Sequence, residues 1–200
     1  MSNSEETKAF IEACKCGVTE FVEFMLKNPK VNPACDNNLP IMIASQNGFD
    51  GVVKLLLTCP TVDPSTNDNY SLKNAAQYGH VETVRLLLTN PKVDPSTGNG
   101  QPLRNAISNK HLRVAKLIIQ DGRIKMQEVI KALSANSHFD HIETLMKIKD
   151  EIAEEKMKEL AKPVKVETPK EEEPKEKKNR ADDFKLAMDL LANVFTELNK

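Results

Sequence analysis

Cysteine and histidine are the residues of this chain best suited to chemistry, as metal ligands, nucleophiles or proton carriers. Cys14, Cys16, Cys35 and Cys59 all lie in the first third of the chain, whereas every histidine lies beyond Gly79. Zinc sites usually take their ligands from spacings such as C-x2-C followed by a histidine pair, but a single residue separates Cys14 from Cys16. We therefore expect four free thiols in a reducing compartment, with no metal and no cofactor.

The histidines and one cysteine leave alternatives open. The separation between His80 and His111 equals the period of an internal repeat described below, which indicates one structural position in two of its copies. His138 and His141 could share a helix face and bind a metal weakly, but without a third ligand nearby we favour solvated or capping side chains. Cys16 could be a reactive thiol, although no histidine or arginine lies beside it in the sequence.

Composition and motifs exclude several classes of function. The chain has no G-x-S-x-G, no phosphate-binding glycine loop and no H-E-x-x-H, so we do not expect an enzyme. Its 28 basic and 29 acidic residues give a net charge of -1, which lacks the excess that binding to nucleic acid requires. It also lacks the apolar run of about 18 residues that would cross a membrane. We expect a soluble protein of the cytoplasm, with the nucleus as the alternative.

An internal repeat with a period of about 31 residues organises the chain. Four columns of identical residues share this spacing: Ala13, Ala44, Ala75 and Ala106; Gly17, Gly48 and Gly79; Pro29, Pro60 and Pro91; Pro33, Pro64 and Pro95. Four independent columns exclude chance, so the repeat must define the fold.

Each unit is predicted to contain two short helices followed by an extended finger. In the third unit the first helix covers residues 71–78, and Gly79 suits a left-handed helix exit. The second helix, residues 80–89, carries one apolar face and ends before Pro91. The finger tips are predicted at pairs that tolerate positive φ: residues 37–38, 68–69 and 99–100.

These motifs resemble the ankyrin repeat family. Its Thr-Pro-Leu-His-x-Ala opening is matched by Gln-Pro-Leu-Arg-Asn-Ala at 101–106, and its Gly-His-x-x-x-Val-x-Leu-Leu-Leu signature is matched at 79–88. The resemblance covers residues 4–150. It implies an all-α solenoid of about five helix-turn-helix units with short β-turn fingers, and the period, shorter than the usual value of about 33, implies shorter fingers.

The ends of the chain differ from its middle. The first and the worn fifth unit are expected to cap the repeat domain of residues 4–150, and residues 151–161 to extend its last helix. Residues 162–180, rich in proline, lysine and glutamate, are predicted to be a disordered linker. Residues 181–200 are predicted to form an amphipathic helix. Its apolar stripe consists of Phe184, Ala187, Met188, Leu191, Phe195 and Leu198.

We expect the repeats to bind a protein partner on a concave face made of first helices and finger tips. Tyr70 and Tyr78 are the strongest candidates, because they are the only tyrosines and tyrosine is a favoured interface anchor. The other predicted contact residues are Met42, Gln46, Asn47, Asn69, Lys73, Gln77, Arg104, Ser108 and Asn109. The alternative for each of them is a merely solvated side chain.

Two further interpretations stay open. In an adaptor, the repeats bind one protein and the C-terminal helix recruits a second. In an autoinhibited scaffold, that helix folds back in cis and closes the worn fifth repeat. The two differ in whether the terminal helix binds another chain or its own.

Overall fold

The computed structural model describes residues 5–135 and 139–160. Within these residues the chain forms ten α-helices and no strand, which confirms the predicted all-α class. The predicted linker and terminal helix (162–200) lie outside the described residues, as does His138.

The helices form the five predicted pairs. The first helices of the pairs are α1 (Glu5–Cys16), α3 (Cys35–Asn47), α5 (Thr66–Tyr78), α7 (Thr97–Ser108) and α9 (Met126–Ala135). The second helices are α2 (Thr19–Leu26), α4 (Asp50–Leu57), α6 (Val81–Leu88), α8 (Leu112–Gln120) and α10 (Phe139–Leu160). Each helix contacts its own mate and the corresponding helix of the next pair. The pairs therefore stack in chain order around one continuous core.

Equivalent residues of successive units build that core. Leu56, Leu87 and Ile118 of the second helices are each fully buried. In the first helices the alanine column is fully buried as well, at Ala44, Ala75 and Ala106. Burying each large aliphatic side chain contributes about 2 kcal/mol, while the small alanines let neighbouring first helices approach closely.

The finger tips are turns in the left-handed region. In α5, residues 67–69 (Asn-Asp-Asn) have φ between 52° and 57°, and residues 36–38 and 98–100 adopt the same conformation. Asparagine, aspartate and glycine tolerate this region best, so the predicted positive φ values are confirmed. The turn has three residues, one more than the predicted pair, and the right-handed part of α5 begins at Tyr70.

Glycine at the helix exit serves two purposes. Gly79 ends α5 with φ of 79°, as predicted. A Cβ on Gly79 would also lie only 2.6 Å from Nδ1 of His111, because the ring of the next unit rests against it. Lys110 takes the equivalent position in the fourth unit with φ of 61°. That conformation costs a lysine about 1 kcal/mol.

The last helix is longer than its counterparts. α10 has 22 residues and runs without interruption to Leu160. Beyond residue 150 it still packs against the repeats, since Ile152 is 6% exposed and Glu155 forms an ion pair of 2.5 Å with Lys116 of α8.

Candidate partner-binding surface

Asparagine side chains at two finger tips tie the second unit to the third and the third unit to the fourth. Oδ1 of Asn69 accepts the backbone N–H of Asp94 at 2.9 Å, and Oδ1 of Asn38 accepts that of Asp63 at 2.8 Å. Such a bond contributes about 1 kcal/mol, and it satisfies a backbone group that would otherwise lack a partner. The fingers therefore form a row of fixed spacing.

Two carboxylates stabilise the fingers further. Asp63 accepts hydrogen bonds from the backbone N–H and the hydroxyl of Ser65, at 3.0 and 2.7 Å. These bonds hold the pKa of Asp63 below its usual range. Asp68 accepts a hydrogen bond from the Thr97 hydroxyl and one of 2.9 Å from Lys73, which lower the pKa of Asp68. Both aspartates are therefore charged anchors within the fingers.

The fingers and first helices leave a row of side chains exposed, which we call the first-helix surface. Its most apolar members are Tyr70, 40% exposed, and Tyr78, 50% exposed, at the two ends of the right-handed part of α5. Gln77 beside them is also exposed. Two turns of helix separate the tyrosines by about 12 Å. Their neighbours on this surface come from α3 and α7, which both contact α5.

The predicted contact residues divide into three groups by exposure. Six side chains are exposed: Asn47, Tyr70, Gln77, Tyr78, Ser108 and Asn109. Three are half-buried: Gln46, Lys73 and Arg104. Two are buried, at 7% exposure each: Met42 and Asn69.

Two of the predicted contact residues, Met42 and Asn69, are therefore not part of the exposed surface. Asn69 is buried because its amide oxygen holds the next finger. Met42 lies below the finger tips, where its sulfur accepts a hydrogen bond of 3.3 Å from the amide of Asn67. The sequence signal for this structural role was the constant spacing of 25 from Asn38 to Asp63 and from Asn69 to Asp94.

Lys73 and Arg104 are partly committed to their own fingers. Lys73 is paired with Asp68, and its side chain is only 16% exposed. The guanidinium of Arg104 donates to the carbonyl of Gly98 at 2.9 Å. Because both cations brace the finger tips, replacing them would disturb the fold as well as the surface.

Position 78 separates the third unit from its neighbours. Asn47 and Asn109, at the equivalent positions, donate their side-chain amides to their own helices, to the carbonyls of Ile43 at 2.9 Å and Asn105 at 2.8 Å. Tyr78 instead extends a ring 6.2 Å from that of His80. The third unit thus presents an aromatic surface where its neighbours present amides.

One exposed aromatic pair was not predicted. Phe21 and Phe24 of α2 stack with their ring centroids 6.4 Å apart and remain 46% and 69% exposed. The repeat spacing could have pointed to this pair, because Phe21 of the first unit is equivalent to Val52 of the second, which is fully buried.

The prediction that His80 and His111 share one structural position is confirmed. Each is the N-cap residue of its second helix, and each ring lies against the glycine that ends the preceding unit. Nε2 of His80 also lies 3.0 Å from the carbonyl oxygen of Gln46. These contacts account for both rings without chemistry.

The thiols are placed for packing rather than nucleophilic attack. All four cysteines are free. Burial raises the pKa of Cys14 to about 12 and that of Cys35 to about 11, and it also raises the pKa of Cys59. Cys16 alone is exposed. Since the thiolate is the nucleophile, a raised pKa makes these three thiols less reactive than an exposed one.

The described part of the chain contains neither a candidate metal site nor a membrane-spanning helix. Across residues 5–135 and 139–160, no group of three or more histidine, cysteine or acidic side chains could hold a metal ion. Over the same residues, none of the helices combines the length and hydropathy needed to cross a membrane.

Comparison with known proteins supports the interpretation of the 31-residue units as ankyrin repeats. A family model described as ankyrin repeats, in three copies, matches residues 1–68. The pairs α5–α6 and α7–α8 continue the same architecture in the same register beyond that match. Among curated proteins, none matches the sequence. Ankyrin repeats are general protein–protein interaction modules and typically non-enzymatic scaffolds. Residues 1–68 of the chain are therefore similar to ankyrin repeats.

Proposed function

We propose that this chain binds a protein partner through the first-helix surface, with Tyr70 and Tyr78 of the third unit as its anchors. One observation carries the proposal. Two large aromatic side chains remain 40% and 50% exposed on a helix whose packing residues, such as Leu72 and Ala75, are fully buried. Tyrosine combines a large apolar surface with a hydroxyl, which makes it a frequent hot spot in interfaces.

Variation along the stack supports the same surface. Positions that pack in the core carry large aliphatic residues in successive units, as at Leu56, Leu87 and Ile118. The exposed positions do not, since position 70 is leucine in the second unit and glutamine in the fourth. The fold needs no particular residue there, so these positions are free to recognise a partner.

The surface is also preorganised. Hydrogen bonds to the side-chain oxygens of Asn38 and Asn69, donated by the backbone of the next finger, fix the spacing of these fingers. The ion pair between Lys73 and Asp68 neutralises the charge beside the tyrosines. A surface that is already ordered loses little entropy on binding, and a neutral one favours a partner with apolar side chains and hydrogen-bonding groups for the phenols. The free thiols favour a reducing compartment, the cytoplasm or the nucleus, as the place of binding.

An adaptor is the second candidate. The apolar stripe of residues 182–200 favours it, because an amphipathic helix on a tether can bind a groove on another protein. Truncating the chain at residue 161 would then remove one set of bound proteins and leave the other.

Quantitative affinity capture from the native host tests the main proposal. The bait is the full chain, compared with the double variant Tyr70→Ser/Tyr78→Ser and with a control pair at exposed Glu82 and Lys92. Each truncated anchor should cost about 1 kcal/mol or more, roughly a fivefold loss in affinity. Proteins enriched by the wild type and by the control, but depleted with the tyrosine variant, would support the proposal. Equal enrichment with all three baits would refute it.

A further inference from the structure

The fourth unit carries a concentration of positive charge that its neighbours lack. Residues 95–120, which contain α7 and α8, include four basic residues and no acidic one. The four are Arg104, Lys110, Arg113 and Lys116. The equivalent residues of the third unit, 64–89, contain two acidic and two basic side chains, and those of the second unit, 33–58, contain two acidic and one basic. A chain with a net charge of -1 therefore has one strongly basic unit.

Two of these cations have no counter-charge in the part of the chain that the structure describes. Lys116 is paired with Glu155 of α10 at 2.5 Å. Lys110, in the connection between α7 and α8, and Arg113, in the first turn of α8, are both exposed. Neither takes part in an ion pair with another described residue. We call Lys110 and Arg113 the basic edge, and their charge is available to a ligand.

The backbone at Lys110 indicates that its side chain serves something other than the fold. Lys110 has φ of 61°, and the first three units have Gly17, Gly48 and Gly79 at the equivalent position, with φ between 70° and 79°. Glycine adopts this left-handed conformation without a steric cost, whereas the Cβ of a lysine makes it unfavourable. Residues held in such conformations are often found at functional sites.

The basic edge lies beside the aromatic surface of the third unit. α5 and α7 are in contact, and the ring of His111 lies against Gly79. Tyr78 and Lys110 are the chain neighbours of these two contacting residues. Leu112, which is 49% exposed, adds an apolar side chain to the same connection. Aromatic and aliphatic side chains and uncompensated positive charge therefore occur together at this end of the first helices.

A partner segment with both acidic and apolar side chains fits this combination. A carboxylate accepts charge-assisted hydrogen bonds from lysine and arginine, which are about twice as strong as neutral ones. Neighbouring helices lie about 9 Å apart, and an extended chain rises about 3.3 Å per residue. An acidic residue on the basic edge and an apolar residue on Tyr78 would therefore be about three positions apart in an extended segment.

A nucleic acid fits the charge distribution less well. Its phosphates repeat along the whole strand, so a long strand would need cations in several consecutive units. The third unit is neutral over residues 64–89. The first and fifth units, over residues 2–27 and 126–151, each contain five acidic and three basic residues. Positive charge confined to one unit favours a short acidic segment.

We propose that the partner bound by the first-helix surface presents an acidic side chain to the basic edge, about three residues from the apolar side chain that contacts Tyr78. This inference rests on the proposed function, because it names the chemistry of the partner at the same surface. Lys110 is then a specificity-determining residue that weakens the fold and strengthens binding.

Selection from a display library of random twelve-residue peptides, with the full-length chain as bait, tests the proposal. The wild type should enrich peptides in which an aspartate or glutamate lies about three positions from an aromatic or aliphatic residue. Lys110→Gly/Arg113→Gln should keep the apolar preference and lose the acidic one. The matched control is Lys54→Gln/Lys149→Gln, which removes two exposed cations of α4 and α10 and should leave both preferences unchanged.

Fluorescence anisotropy with the most enriched peptide then measures the contact. Lys110→Gly/Arg113→Gln should weaken binding about tenfold, and so should replacing the acidic residues of the peptide by their amides. Combining the two changes should weaken binding little further, because both remove the same interaction. Lys110→Gly alone should weaken binding while raising the midpoint of urea unfolding, which separates lost recognition from lost folding.

The outcomes distinguish failure of this inference from failure of the proposed function. Selected peptides that depend on Tyr70 and Tyr78 but show no acidic preference would overturn the inference and leave the proposed function intact. Peptide binding that is unchanged in Tyr70→Ser/Tyr78→Ser would refute the tyrosine anchors, on which both depend. Tighter binding of a single-stranded RNA oligonucleotide than of the selected peptide would assign the basic edge to nucleic acid and overturn the inference.

Discussion

Phe21 in the first unit and Tyr78 in the third are exposed to nearly the same extent, 46% and 50%, yet for different reasons. Phe21 lies at a position that the next three units bury completely, and it is exposed because no helix among the described residues precedes α2 in the stack. Tyr78 lies at a position that is exposed in the second and fourth units as well. In a repeat protein, comparison of equivalent positions thus separates an uncovered packing surface from one that is free to recognise a partner.

The largest expected effect comes from making one substitution at two equivalent positions. Val114→Asp buries an unpaired carboxylate and should lower the free energy of unfolding by more than about 3 kcal/mol. Phe21→Asp places the same carboxylate at the open end of the stack, where water can reach it, and should cost about 1 kcal/mol or less. Urea unfolding of both variants, followed by circular dichroism, measures the difference.

Equal losses at the two positions would break the comparison. They would mean that Phe21 is as fully packed as its counterparts in the inner units. Tyr78→Asp is the matched control from the third unit, and its effect on stability should resemble that of Phe21→Asp.

A smaller effect on stability is expected at the residue that follows the first helix of a unit, which is Gly79 in the third unit and Lys110 in the fourth. Gly79→Ala should lower the free energy of unfolding by about 2 kcal/mol, because φ is positive and the new Cβ meets the ring of His111. Lys110→Gly should raise it by about 0.5 kcal/mol, since relief of the left-handed conformation exceeds the added chain entropy. Thermal or urea unfolding checks both signs. A stabilising Gly79→Ala or a destabilising Lys110→Gly would contradict the structural account.

Much of this fold could be predicted from the sequence, because the same pattern of alanine, glycine and proline recurs in several units. The repeated columns predicted the helix pairs, and the asparagine and glycine residues predicted the positive φ values. The burial of Asn69 could not be predicted, because an asparagine at a turn tip is usually exposed to solvent. Here its side chain is buried because it accepts a hydrogen bond from the backbone of Asp94 in the next unit. The exposure of Phe21 was not predicted either, because an apolar residue on a helix of a repeat is usually buried. Phe21 is exposed because no described helix packs on that side of α2.

The weakest expected effect concerns acid. Hydrogen bonds lower the pKa of Asp63 and of Asp68 in the folded chain. Stability from a lowered pKa is present above the unfolded value of about 3.9 and is lost as the pH falls through the folded value. Acid should therefore loosen the inner fingers, whereas the first unit carries the neutral Asn32 at the position of Asp63.

Carboxyl titration by NMR checks this prediction. Both aspartates should titrate below their ordinary pKa. Asp63→Asn should make stability less dependent on pH between about 5 and 2, because the unfolded chain then takes up one proton fewer. A folded pKa at or above the ordinary value would contradict the proposed hydrogen bonds.

Amide hydrogen exchange on the complex with a captured partner tests the central claim most directly, because it reports both aromatic surfaces in one experiment. We predict that the partner slows exchange in α5, around Tyr70 and Tyr78, and leaves residues 18–27 of the first unit unchanged. Slowing in residues 18–27 without any change in α5 would contradict the account. It would mean that the phenylalanine surface binds the partner and that the tyrosines are merely solvated.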